Sequence, residues 1–198
     1  MSKIIGITGG IASGKSTVVD YLRGHGYTII DADQVVHELQ AKGGKLYYAL
    51  VDWLGQEILT ESGDLNREKL AELIFSNEEN KAHSSRIQDA IIREELAARK
   101  ERLAQEEDLL FMDIPLLYEL GYEGWFDAVW VIYVDRKVQL ERLMARNGLT
   151  AIEAQQRLAS QGLLSEKRDR ADLVIDNNGR RDETYKQLDK ALDALSLF

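Results

Sequence analysis

Near the start of the chain a β-branched run, Ile4-Ile5-Gly6-Ile7-Thr8, gives way to Gly9-Gly10-Ile11-Ala12-Ser13-Gly14-Lys15-Ser16. No other segment constrains the fold as tightly. The run reads as a buried parallel strand. From Lys15 to Arg23, Val18, Val19 and Leu22 recur at helical spacing, and Gly24 and Gly26 supply the stop. Glycine at both ends of the intervening loop lets backbone N–H groups turn inward around phosphate oxygens, and the following helix adds the positive end of its dipole. The pattern Gly-x-x-x-x-Gly-Lys-Ser between a strand and a helix is a phosphate-binding loop. It makes Gly10, Ile11, Ala12, Ser13, Gly14, Lys15, Ser16 and Thr17 the expected nucleotide contacts. Lys15 is placed to reach β- and γ-phosphates, and the Ser16 hydroxyl to ligate Mg²⁺.

Tyr27–Ile30 is a second strand candidate, ending at Asp31-Ala32-Asp33, which completes a strand–helix–strand unit. A largely helical stretch follows from about residue 35 to 107, with Asn66 as a helix cap. Three further strands are expected at 109–113, 128–134 and 173–176. A helix over 138–146 stops at Asn147-Gly148, and Thr150 with Glu153 forms a capping box. The last helix covers 182–195. The fold class is therefore α/β: five parallel strands covered on both faces by helices, in one domain with no repeats or linkers.

Composition narrows the function classes. Apolar residues make up 44% of the 198, enough for an ordinary core. No apolar run suggests a membrane span, and the N-terminus lacks the pattern of a signal peptide. There is no cysteine, so disulfides and thiolate metal sites are excluded and a reducing cytoplasm is the expected compartment. The net charge of −9 argues against nucleic acid as a partner. Residues 136–170 nevertheless hold eight Lys/Arg against four acids, which suits a polyphosphate ligand or a solvated helical face.

Phosphate binding alone leaves GTPase, ATPase and kinase open. No Asn-Lys-x-Asp guanine segment is present, and Asp52-Trp53-Leu54-Gly55 lies in a helical pattern rather than after a strand. Asp31 and Asp33 end the second strand, where ligands bind in open α/β sheets. Either could accept a proton from an attacking hydroxyl, or cap the next helix. Asp113 ends an apolar strand and is a candidate for holding Mg²⁺ through water, with a helix cap as the competing role; Pro115, the only proline, fixes the turn beyond it. Arg142 and Arg146 share a helix face and could clamp triphosphate oxygens. The amides of Asp176-Asn177-Asn178-Gly179 could read an adenine edge. His25, His37 and His83 lack metal-ligand spacing.

Taken in order, residues 7–17, Asp31-Ala32-Asp33, Pro115-Leu116-Leu117-Tyr118-Glu119 and Val174-Ile175-Asp176-Asn177-Asn178-Gly179 resemble the successive motifs of the dephospho-coenzyme A kinase family. The resemblance implies a three-layer P-loop kinase fold related to adenylate kinase: a core at about 1–33, 108–140 and 171–198, a helical coenzyme A-binding region at about 34–107, and a lid at about 141–170. It implies ATP and dephospho-coenzyme A as small-molecule partners and Mg²⁺ as cofactor; a monomer is the expected state. Asp33 maps as the base at the ribose 3′-hydroxyl, with Lys15 and Arg142 as the other catalytic residues. Arg146, Asn177 and Gly179 join the nucleotide site, and Thr8, Pro115, Leu116 and Leu117 the acceptor site. Two positions depart from the family pattern. Gln88-Asp89 replaces a His-Pro pair, and Gly162 follows Gln161 without the usual proline after it, which should loosen the lid segment. The Asp-Gly-Phe-Pro-Arg of nucleoside monophosphate kinases is missing at 113–117. A regulatory nucleotide-binding protein is the reading from another class, and intact Lys15, Ser16 and Asp33 speak against it.

Overall fold

The computed structural model describes residues 2–196 and divides into two compact units. One comprises the chain up to Ile29 together with the part from Ala104 onward; the other is Ile30–Leu103. Five strands, β1 (Lys3–Gly9), β2 (Thr28–Asp31), β3 (Leu109–Asp113), β4 (Ala128–Tyr133) and β5 (Leu173–Asp176), form one sheet in the order β2-β3-β1-β4-β5. β1 runs parallel to both neighbours, with Ile5 opposite Phe111 and Ile7 opposite Trp130, and β4 runs parallel to β5. The strands at 109–113 and 173–176 lie where the sequence pattern puts them, and the others differ by a residue or two at their ends, as strand ends do.

The first unit carries α1 (Lys15–Gly24), α6 (Arg136–Asn147), α7 (Ala151–Ala159), α8 (Leu164–Asp169) and α9 (Arg181–Ser196). One sheet face is closed by α1 and α9: Ile5, Ile7, Phe111 and Ile132 pack with Val18, Leu22 and Leu188, all fully buried. On the other face Gly6 is required by close approach, since a Cβ there would sit 2.8 Å from the side chains of Leu117 and Phe126. A separate cluster of Leu143, Ala154 and Leu158 joins α6 to α7 and packs against Ile11 and Ala12 of the phosphate loop.

β1 lies centrally, and the chain goes from it to β2 on one side and reaches β4 and β5 on the other. The carboxyl ends of β1 and its neighbours therefore open at a switch of winding direction, the standard position for a ligand in an open α/β sheet.

The second unit is built from α2 (Ala32–Gln40), α3 (Lys45–Leu54), α4 (Arg67–Phe75) and α5 (Glu78–Leu103), with a short antiparallel bridge between Leu59 and Leu65. Asn66 caps α4 by accepting from the Lys69 N–H, as its sequence position predicts. Asp52–Leu54 are helical in α3, so the Asp-x-x-Gly spacing there is no nucleotide switch. α5 runs unbroken through Gln88 and Asp89; Gln88 Nε2 donates to Ser84 Oγ one turn back at 2.7 Å. Without the proline of the family pattern nothing interrupts its hydrogen-bond ladder. Among the described residues no helix is long and apolar enough to cross a membrane.

Candidate active site

The phosphate loop leaves β1 at Gly9 and enters α1 at Lys15. Its shape is held by two residues with left-handed backbone, Ala12 (φ 58°) and Gly14 (φ 83°), and by a turn in which Ser13 N–H donates to the Gly10 carbonyl at 3.1 Å. A non-glycine residue at φ 58° is strained, and such strain persists only where surrounding contacts impose it. The contacts here are specific. Gln139 of α6, buried, donates from Nε2 to the Ile11 carbonyl at 2.8 Å, and Ile11 N–H donates to Gln161 Oε1 at 3.1 Å. Both polar groups of one loop residue are thus taken by side chains far away in sequence. Ser13 Oγ is buried and has no hydrogen-bond partner among the described residues.

Lys15 Nζ reaches both carboxylate oxygens of Asp113 at the end of β3, the longer contact being 2.6 Å. Asp113 is buried, so the pair is a shielded ion pair facing the loop. Ser16 is exposed on the first turn of α1. Arg142 Nη2 donates to the Asn177 carbonyl at 2.8 Å, and Arg146, one turn on, is exposed with Nε on Asn147 Oδ1. The loop from Gly10 to Ser16 and the arginines at 142 and 146 line one open cleft of about 660 Å³. Lys15, Arg142 and Arg146 therefore flank a loop whose amides and helix dipole favour anions, an arrangement that suits polyphosphate.

The other expected site residues divide. Asp31 caps α2, its Oδ1 accepting from Gln34 N–H at 3.1 Å, while Asp33 is exposed in the first turn of that helix. Pro115 is partly exposed and Leu116 exposed, but Thr8 and Leu117 are fully buried. Thr8 and Leu117 are corrections: Leu117 fills the core beside Gly6, and the Thr8 hydroxyl donates to the Pro115 carbonyl at 2.9 Å, so neither offers a surface to an acceptor. Asn177 is a third correction. Its side chain is buried, donates to the Ser13 carbonyl and accepts from Thr184 Oγ1, both at 2.8 Å, so it packs against the phosphate loop and not on an open adenine edge. It buttresses the phosphate loop instead. Gly179 lies exposed in the turn after β5.

Three residues escaped the sequence reading as site components: Gln139, Gln161 and Lys167. Gln139 lies four residues before buried Leu143, and Lys167 three after buried Leu164, so helical spacing alone would have put both polar side chains on inner faces. Tyr118 stacks against Arg170, with the guanidinium 4.2 Å from the ring centre, and its hydroxyl donates to the Arg170 carbonyl at 3.0 Å. Burial holds that phenol above its ordinary pKa, with the Arg170 charge opposing, which keeps it protonated as a donor.

A strand–loop–helix phosphate cradle, a buried carboxylate on the adjacent strand and arginines on a following helix define a P-loop phosphotransferase of the three-layer α/β type. The family model for dephospho-CoA kinase matches residues 3–183, and the chain belongs to that family. A dephospho-CoA kinase from Streptococcus pyogenes serotype M3 is 58% identical over 193 residues, covering 98% of both chains. Among solved structures, one from Thermus thermophilus superposes with a TM-score of 0.80 at 34% identity, covering 98% of each chain. The dephospho-CoA kinase from Campylobacter jejuni superposes at 0.77 and 28% identity, covering 99% of this chain and 98% of its own.

Proposed function

We propose that the chain transfers the γ-phosphoryl group of ATP to the ribose 3′-hydroxyl of dephospho-coenzyme A, giving coenzyme A and ADP, the last step of coenzyme A biosynthesis. The observation that carries this reading is the convergence of the phosphate loop and two arginines on one cleft, in a chain belonging to the dephospho-CoA kinase family. We assign it to the cytoplasm as a monomer acting on small molecules.

In the reaction the 3′-oxygen forms a bond to the γ-phosphorus, the bond from that phosphorus to the β–γ bridging oxygen breaks, and the hydroxyl proton passes to a carboxylate. Asp33 takes that proton; its exposed position in the first turn of α2 leaves the carboxylate accessible. Lys15 exchanges its Asp113 partner for β- and γ-phosphate oxygens, so its charge stays paired with and without nucleotide. Arg142 and Arg146 balance the charge that spreads over the transferring group. Backbone amides from Gly10 to Thr17 hold the phosphate chain, and the exposed turn at Gly179 offers backbone to the base. Pro115 and Leu116 remain the acceptor-side contacts beyond β3.

The donor set fits a hard divalent cation: the Ser16 hydroxyl and the Asp113 carboxylate are oxygen ligands, and Mg²⁺ on a nucleotide needs only one or two from the protein. Bound there it would neutralise charge on the β- and γ-phosphates.

The Asp33→Asn variant tests the assignment of the base. It should bind ATP like the parent and lose about 100-fold or more in turnover with dephospho-coenzyme A. Turnover within a few-fold of the parent would remove Asp33 from that role.

A further inference from the structure

The mechanism above leaves one buried charge without a task. Lys167, on α8, is 5% exposed. An ammonium group has three donors and no acceptor. Lys167 donates to the Gly9 carbonyl at 3.2 Å and to the Pro115 carbonyl at 3.0 Å, and its charge is paired with Glu119 Oε1 at 2.8 Å. A buried charge is costly unless it is paired and hydrogen-bonded, and this one is both.

Both carbonyls belong to segments that build the nucleotide site. Gly9 is the last residue of β1 and the first of the phosphate loop, while Pro115 stands two residues past Asp113, whose carboxylate holds Lys15. β1 and β3 are neighbours in the sheet, so Lys167 staples the two chain segments that leave adjacent strand ends. The Pro115 carbonyl also accepts from Thr8, which ties the same two segments a second time. The ion pair gives a role to Glu119, the last residue of the Pro-Leu-Leu-Tyr-Glu motif. Its carboxylate balances and orients the ammonium. Six residues before Lys167 on the same stretch, Gln161 accepts from Ile11 N–H, so residues 161–167 grip the loop at its base and near its apex.

We propose that Lys167 is a positioning residue for phosphoryl transfer: it fixes the separation between the phosphate loop and the Asp113 turn, with Glu119 as its orienting partner. It touches no reacting atom and acts through the Gly9 and Pro115 carbonyls. The proposal rests on the kinase reading of the site, but it is tested through ATP affinity as well as turnover. A wrong acceptor assignment and a wrong role for Lys167 are thereby distinguishable.

The test compares Lys167→Met, the double variant Lys167→Met/Glu119→Gln and Glu119→Gln alone. Thermal midpoint, the dissociation constant of a fluorescent ATP analogue without acceptor, and kcat at saturating ATP are measured for each. Lys167→Met leaves Glu119 without its cation and lowers the thermal midpoint. The double variant removes both charges and recovers most of that midpoint, yet keeps a roughly tenfold weaker ATP affinity and at least a tenfold lower kcat, because misplacement of about an ångström costs that much or more. Recovery of affinity and kcat together with the midpoint would overturn the proposal, leaving Lys167 only an ion-pair partner. If neither Lys167 variant folds, Glu119→Gln decides: weaker ATP binding by about threefold or more is expected from a less constrained ammonium. Parental affinity in that folded variant would overturn the proposal.

Discussion

Gly14 shows how much of the site depends on single atoms. Its φ of 83° disfavours any side chain, and a Cβ there would lie 2.1 Å from Asn177 Nδ2. That nitrogen holds the Ser13 carbonyl, so a methyl group at 14 would push the buttress off the loop. Gly14→Ala should lower stability by about 2 kcal/mol, through strain of the left-handed backbone and a lost buried hydrogen bond. ATP affinity should fall with it, and calorimetric unfolding beside an ATP titration checks both; a stable variant with parental affinity would contradict the packing described. Residues of this kind were legible in the sequence, because glycine spacing and Lys15-Ser16 encode a backbone shape directly. Asn177 was found by motif but given the wrong task. A carboxamide after a strand fits an exposed recognition turn as well as a buried buttress, and only the packing of Thr184 and Ser13 around it decides. Helical spacing marks Gln139 and Lys167 as inward-facing but names no partner, since Gln139, Gln161 and Lys167 contact backbone atoms 128, 150 and 158 residues away.

At the scale of elements, local chemistry explains most boundaries. Thr150 and Glu153 make both bonds of a capping box at the start of α7, and Gly148, with φ 63°, ends α6. Thr150→Ala should lower stability by about 1 kcal/mol, measurable by urea unfolding; no change would mean that α7 is held by its Leu158 face alone. The helical unit offers a pH test. Arg99 of α5 pairs with Glu38 of α2 at 2.6 Å and with Glu95 one turn back at 2.9 Å. Hydrogen bonding to the guanidinium holds both carboxyls below the usual glutamate range. A carboxyl with a lowered folded pKa contributes stability that is present above its unfolded value, about 4.3, and is lost as pH falls through the folded value. Arg99→Met should therefore be less stable than the parent by about 1 kcal/mol at pH 7, a gap that closes below about pH 4. A gap that persisted in acid would point to lost packing of the arginine stem instead. The strands and caps were readable because period and cap residues are local signals. The continuity of α5 across Gln88-Asp89 was readable only as the lack of a proline.

For the whole molecule, the sheet order places a phosphate loop, a buried carboxylate and the basic α6 at the same end of the first unit, so a chain of net charge −9 presents Lys15, Arg142 and Arg146 at one cleft. A ligand that binds the folded state alone stabilises it by mass action. MgATP at 100 times its dissociation constant should add about 2.7 kcal/mol, raising the melting temperature by roughly 5–10 °C for a chain of this size. Lys15→Met should lose most of that shift, and differential scanning fluorimetry reads it. The most direct test of the central claim is ADP release with MgATP and, separately, dephospho-coenzyme A, AMP, CMP, shikimate or no acceptor, with the phosphorylated product located by ³¹P NMR. The account predicts stimulation by dephospho-coenzyme A alone, with a new monophosphate on its ribose 3′-oxygen. Equal or greater stimulation by another acceptor, or phosphate at any other position, would contradict it.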